Sequence, residues 1–191
     1  MLTYKIRKDI CLMDGTKVDI SINIPIEEKY TSEQEDEFIE SMIIDQLMRG
    51  FNTGKEAYEA SELPNKFLNY SKFHISNQLE YPILGIHHGD THDISFDSNA
   101  ISGIGVSPDY LFGHELGHKI SKFIDRKQAF KDIADILMMS DAYQYYLEEI
   151  FANECGNMVS GEENNEFYDQ PLPEAKRKGI QRRILANVYR I

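Results

Sequence analysis

Cysteine is scarce in this chain of 191 residues: Cys11 and Cys155 are the two it has, and they do not form a CxxC pair. No disulfide framework can be built from them, and the chain reads as one folded under reducing conditions, with a single bridge left open. Uninterrupted apolar runs are also missing. The opening MLTYKIRKDICLMDGTKVDI places charge inside every apolar stretch, which excludes a secretory core or a spanning helix there. The expectation is a soluble chain, cytoplasmic where it is made, with no membrane partner. Positive charge is outnumbered, with 20 Lys and Arg against 32 Asp and Glu, for a formal net charge of −12. That balance argues against binding a phosphate backbone, so no nucleic-acid partner is expected, and it mildly favours neutral or basic partners. Internal repeats and low-complexity linkers are absent as well. One domain over residues 1–191 is the simplest organisation. At this length a core forms without a structural metal, so any metal serves chemistry.

What is present reads first as β structure. Tyr4, Ile6, Ile10 and Leu12 lead to Asp14-Gly15, and Val18, Ile20, Ile22 and Ile24 follow. Asp-Gly between two such runs predicts an N-terminal hairpin, because both residues tolerate positive φ. Thr31 or Ser32 then caps an acidic turn, and Phe38, Ile39, Met42, Ile43 and Leu47 recur at helical spacing until Gly50. A shorter helix is expected over 55–61, ended by Pro64. Strand signals return at Phe73-His74-Ile75, at residues 83–86 and at residues 92–96. Ser107-Pro108-Asp109 has the form of a helix start, and the helix it opens is expected to run to about Asp125. Another helix is expected from about Asp141 to Met158. A loop or lid follows over 156–173, and a basic helix over 174–189 closes the chain.

The helix beginning at Pro108 carries HELGH. Residues four apart are separated by 400° of helical rotation, so His114 and His118 project from one face, one turn apart, and can share a tetrahedral zinc ion, Zn2+. Glu115, turned about 100° from His114, can reach a water at the metal without ligating it, which suits a general base that later protonates the leaving amine. Gly117 is expected to leave room beside the metal. A catalytic zinc needs a third protein ligand, and the residues after His118, KISKFIDRKQ, lack the histidine of the HExxHxxGxxH pattern. EEIFANE supplies carboxylates instead. Leu147, Ile150, Phe151 and Met158 mark one face of that helix, and Glu149 lies opposite, with Asn153 one turn on as its outer partner. Glu149 is therefore the expected third ligand. Glu148 reads as a solvated neighbour. Glu154 is the alternative ligand, since on the apolar side a lone carboxylate needs a partner.

HELGH followed some thirty residues later by Glu149-Ile150-Phe151-Ala152-Asn153 resembles the gluzincin class of zinc peptidases. Within it, EEIFA resembles the ligand helix of anthrax-lethal-factor-like and Pro-Pro-endopeptidase-like enzymes, and HELGH with ExxAN resembles the ImmA/IrrE peptidases. The likeness spans Ser107 to Asn153. The segment after Asn153, ECGNMVSG, departs from the ImmA/IrrE pattern, and the tyrosine of lethal-factor-like enzymes is not matched in register. The resemblance implies an α+β, zincin-like fold: a small mixed β-sheet packed against the HExxH helix and a second zinc-ligand helix. Residues 1–106 would supply the hairpin, helices and sheet, and 107–191 the helical zinc-binding part. It also implies a tyrosine or histidine that stabilises the oxyanion. Tyr143, Tyr145 and Tyr146 are the candidates, with Tyr143 the expected donor because it could curl over the metal from the helix start. A protein or peptide substrate would bind as an extended strand, along an edge strand expected at HDISFDSN.

Histidines 87, 88 and 92 form a second group, expected to be a solvated loop with an accessory metal or substrate contact left open. The closing basic helix is expected to be a solvated face. Together these readings predict a zinc metalloendopeptidase. Such a module suits a bacterial effector or toxin delivered to another cell, with an inhibitor or immunity protein as a further partner, or a peptidase acting on one intracellular regulator. The alternative is a non-catalytic zincin-fold binding or regulatory protein.

Overall fold

The computed structural model describes residues 2–26, 33–69, 71–80, 82–165, 168 and 171–190. The expected cap at Thr31 or Ser32 lies outside them. The chain forms an α+β structure with a small mixed sheet, divided into two compact units: residues 1–53 with 69–108, and residues 54–68 with 109–191.

In the first unit, β1 (Leu2–Cys11) and β2 (Lys17–Ile26) form the antiparallel hairpin expected from Asp14-Gly15. Gly15 takes φ +86°, and the Asp14 side chain accepts from the Thr16 N–H at 2.9 Å, which fixes the turn and so the register. β3 (Lys72–Ser76) runs parallel to β2, and β5 (Ile94–Asp97) parallel to β3. β4 (Gly85–His87) pairs antiparallel with β5, giving the order β1-β2-β3-β5-β4. HDISFDSN is therefore not an edge. Its strand β5 is hydrogen-bonded on both sides, Ile94, Ser95 and Phe96 are all buried, and the outer strand at that end is β4.

Helix α1 (Glu33–Ala60) does not stop at Gly50 but absorbs the shorter helix expected after it. Glycine serves close approach here rather than termination. A Cβ on Gly50 would sit 1.8 Å from the Ile101 carbonyl oxygen, in the last turn of α2 (Ser98–Ile101). The expected apolar stripe of α1 is also buried in part only: Leu47 is buried, whereas Phe38, Ile39 and Met42 are exposed, and beyond the expected stop Phe51 is buried and meets Phe73 edge-on at 5.1 Å.

The second unit holds α3 (Pro108–Ser121), α4 (Arg126–Leu137), α5 (Gln144–Ser160) and α6 (Glu174–Val188), with a 3-10 turn at Asn65–Phe67. The expected helix from Pro108 to Asp125 ends at Ser121, because Asp125 begins a new one: its carboxylate accepts from the Gln128 N–H at 3.1 Å and caps α4. The sequence pattern does not announce that helix. Its apolar residues Phe130, Ile133 and Ala134 join Leu147, Ile150, Phe151, Ile180 and Ile184 in one core. The closing helix is basic as expected, but Arg177 is buried and paired with Glu163 at 2.7 Å, so that face is not wholly solvated.

Candidate metal centre

Three glycines decide how α3 meets α5. A Cβ on Gly117 would lie 2.7 Å from the Ala152 Cα, one on Gly113 2.9 Å from the Cys155 carbonyl oxygen, and one on Gly156 3.0 Å from the Tyr110 carbonyl oxygen. Every such contact is far inside ordinary van der Waals separation, so the helices approach with backbone against backbone. The room at Gly117 is thus filled by α5, rather than kept free beside a metal. Close approach is what lets a side chain as short as glutamate cross from α5 to the histidines of α3.

At the crossing three ligand atoms converge. The Nε2 atoms of His114 and His118 are 3.1 Å apart, and Glu149 Oε2 lies 3.7 Å from the first and 3.6 Å from the second. A triangle with those sides has a point about 2.0 Å from all three corners, the length of a zinc–nitrogen or zinc–oxygen bond. His114, His118 and Glu149 form the one group of three or more His, Cys, Asp or Glu side chains among the described residues that is placed to hold a metal ion. Their side chains are 14–17 % exposed, enough to leave a further coordination position within reach of solvent. Glu149, and not Glu154, faces the histidines.

The other nitrogen of each imidazole faces a polar partner. His114 Nδ1 is 3.5 Å from the Tyr110 hydroxyl, which itself donates to Asn153 Oδ1 at 2.7 Å. With its proton so committed, the phenol oxygen is left to accept from His114. Asn153 therefore acts on His114 through Tyr110, and not on Glu149 as its spacing suggested. His118 Nδ1 faces Glu148 Oε1 at 3.7 Å, an ion-pair contact longer than a hydrogen bond. Glu148 also takes Lys122 Nζ at 2.7 Å, a short contact from Arg126, and Ser121 Oγ at 3.2 Å. It is not the solvated residue expected. The signal available in the sequence was Lys122 and Arg126, four residues apart just beyond His118.

The titration behaviour follows from these contacts. Burial, helped by the neighbouring charge of His118, pushes His114 down to about 3. Burial acts the same way on His118, but Glu148, Glu115 and Glu149 outweigh it and hold this imidazole above its ordinary value. Burial would likewise raise Glu148, yet His118, Lys122 and Arg126 bring it to about 2. Glu115 is buried, at 4 % exposure, and close enough to His118 for its charge to be felt. Tyr143 precedes α5 as its N-cap and is 62 % exposed. Tyr145 is 77 % exposed, and the charge of Glu149, ahead of burial, holds its hydroxyl above the ordinary value.

No family model, curated protein or solved structure matches this chain.

Glu154 points away from the histidines into a network of its own. It accepts from Tyr168 at 2.9 Å, Gln181 at 3.0 Å and Asn157 at 3.2 Å, with Arg177 Nε at 3.8 Å. Asn157 and Asn153 both donate to the Asn164 carbonyl, which ties the segment after α5 to the helix. Histidines 87, 88 and 92 do not form a comparable ligand group among the described residues. His88 Nε2 meets Ser95 Oγ at 2.8 Å, and the rings of His87 and His92 stack at 5.7 Å.

Proposed function

We propose that the chain is a zinc-dependent endopeptidase that hydrolyses a protein or peptide substrate with activated water. The observation that carries this reading is the convergence of His114 Nε2, His118 Nε2 and Glu149 Oε2, with a glutamate directly after the first histidine. Two imidazoles and one carboxylate make a donor set that suits zinc. When bound, zinc supplies Lewis acidity, which lowers the pKa of water to about 7 and polarises a carbonyl.

The chain's own residues supply the rest. Glu115, buried beside His118, takes the proton of the attacking water and hands it to the departing amine, so the amide leaves as a neutral amine rather than an anion. Tyr143, at the start of α5, keeps the expected role of oxyanion donor, a contribution of about 3–4 kcal/mol in comparable sites, with Tyr145 and Tyr146 as the other candidates. Tyr110 and Asn153 keep His114 Nδ1 engaged, so that Nε2 remains directed at the metal.

The test is Glu115→Gln, which keeps shape and hydrogen bonding but removes the base. Zinc content should match that of the wild type, while cleavage of a susceptible peptide, found by mapping new termini in a digested proteome, should slow by about a hundredfold or more. Cleavage at the wild-type rate would remove Glu115 from the mechanism. A zinc-loaded wild type that cleaves nothing in the proteome would favour the non-catalytic binding protein instead.

A further inference from the structure

Consecutive residues of a helix point about 100° apart, so Glu148 and Glu149 leave α5 in different directions. In this structure they address opposite nitrogens of one ring: Glu149 Oε2 is 3.6 Å from His118 Nε2, and Glu148 Oε1 is 3.7 Å from His118 Nδ1. The carboxylate on the Nδ1 side is fixed in turn. Lys122 binds one of its oxygens at 2.7 Å, Arg126 binds the other, and the Arg126 guanidinium lies 5.0 Å from the ring of the buried Phe130. Only 12 % of the Glu148 side chain is exposed. A surface ion pair made for solubility has no need of two cations, a hydroxyl and a buried ring to hold it.

We propose that Glu148 is a positioning residue for the metal ligand His118, and that Lys122 and Arg126 are the clamp that orients it. The inference rests on the metal-site reading above. The Glu148 carboxylate, 3.7 Å from Nδ1, draws the His118 proton to that nitrogen, which leaves Nε2 bare and restrains the ring. His114 receives the same service from a neutral phenol. The two ligands are therefore tuned differently: the carboxylate makes the His118 imidazole the more basic of the pair.

The experiment measures zinc affinity by competition with a chromophoric chelator, alongside the visible spectrum of the cobalt-loaded protein and the melting of the metal-free protein. Glu148→Gln should weaken zinc binding by about 10–100-fold and alter the cobalt spectrum, and Glu148→Asp should recover part of the loss. The decisive arm leaves Glu148 in place and replaces its clamp, in a Lys122→Met and Arg126→Met double variant. If Glu148 acted merely as a nearby negative charge, removing two cations would tighten zinc binding. If it must be oriented, zinc binding weakens, by about threefold or more. Tighter or unchanged binding in the double variant, or wild-type affinity in Glu148→Gln, overturns the proposal. His114→Ala separates it from the reading beneath it. If that variant also binds zinc like the wild type, the site itself is wrong, whereas zinc loss there with wild-type affinity in Glu148→Gln removes the positioning role alone. Should Glu148→Gln not fold, the sign of the change in the double variant still decides.

Discussion

Gly117→Ala is a change of one methyl group, and the structure says where that methyl must go. Its Cβ would lie 2.7 Å from the Ala152 Cα, 2.9 Å from the Cys155 Cβ and 3.3 Å from the Ala152 carbonyl oxygen. Two of those three atoms are backbone, so no rotamer change relieves the contact. Carbon atoms pack at about 3.5–4.0 Å, and α5 must therefore recede from α3 by about 1 Å. Overpacking of this kind costs about 1–3 kcal/mol, while exchanging Gly for Ala inside a helix returns about 1 kcal/mol. The net loss of stability is thus small, on the order of 1 kcal/mol.

The site is far less tolerant. Metal–ligand distances hold to about 0.2 Å, and Glu149 lies less than one helical turn from Ala152, so it moves with the displaced segment. A retreat of about 1 Å opens the 3.6 and 3.7 Å separations from the histidines beyond what one ion can bridge. Gly117→Ala should lower zinc affinity by about tenfold or more in chelator competition, with a metal-free melting temperature only a few degrees down. Gly89→Ala is the control, since a methyl group added there would meet nothing within 4 Å and its φ is not positive. A Gly117→Ala protein with wild-type zinc affinity would refute the argument that close helix approach builds the site.

Replacing His114 or His118 by Ala should each reduce bound zinc well below one equivalent, read by elemental analysis, while circular dichroism shows the helices retained. Glu149→Ala should do the same, and full zinc retention would exclude it as the third ligand. Glu154→Ala should leave zinc affinity within about twofold but destabilise the fold by about 3 kcal/mol in urea titration, because it strips a buried network of its acceptor. Glu154→Gln should cost less than half of that, since Gln181 can turn its amide to suit. Burial holds the Glu154 carboxyl above its ordinary value even though Tyr168, Gln181, Arg177 and Asn157 pull it down. A raised folded-state pKa contributes stability that is complete below the unfolded value, about 4.3, and is lost as pH rises through the folded one. Between about pH 4 and pH 7 the stability difference should therefore shift in favour of Glu154→Gln over wild type, and a shift the other way would show that the donors, not burial, set its ionisation.

How much of this was legible in the sequence depends on whether a pattern is local. The hairpin was legible because Asp14-Gly15 sets its turn within four residues, and HELGH because its spacing matches one helical turn. Glu149 could be read from the periodicity of its own helix, once Leu147, Ile150 and Phe151 had marked the buried side. The edge strand was misplaced because alternation shows that a segment is a strand and says nothing about its neighbours. β5 becomes interior only through β4, a strand of three residues with little signal of its own.

Gly50 and Gly117 make the same point from the other direction. On sequence grounds one was a helix stop and the other space for an ion, because glycine states that something must come close without saying what. In both cases the structure answers with backbone: the Ile101 carbonyl at Gly50, and the Ala152 Cα at Gly117. Glu148 was passed over for a related reason. Its partners lie beyond its own helix, at Ser121, Lys122 and Arg126, and no periodicity in α5 refers to them. A pair of adjacent glutamates is ambiguous until the facing helix is known. Once α3 is placed within backbone contact of α5, the ambiguity resolves by geometry: of two carboxylates about 100° apart on α5, one meets the Nε2 atoms and the other the Nδ1 of the same histidine. What the sequence withheld was therefore the distance between two helices, and that distance is set by residues with no side chain to read.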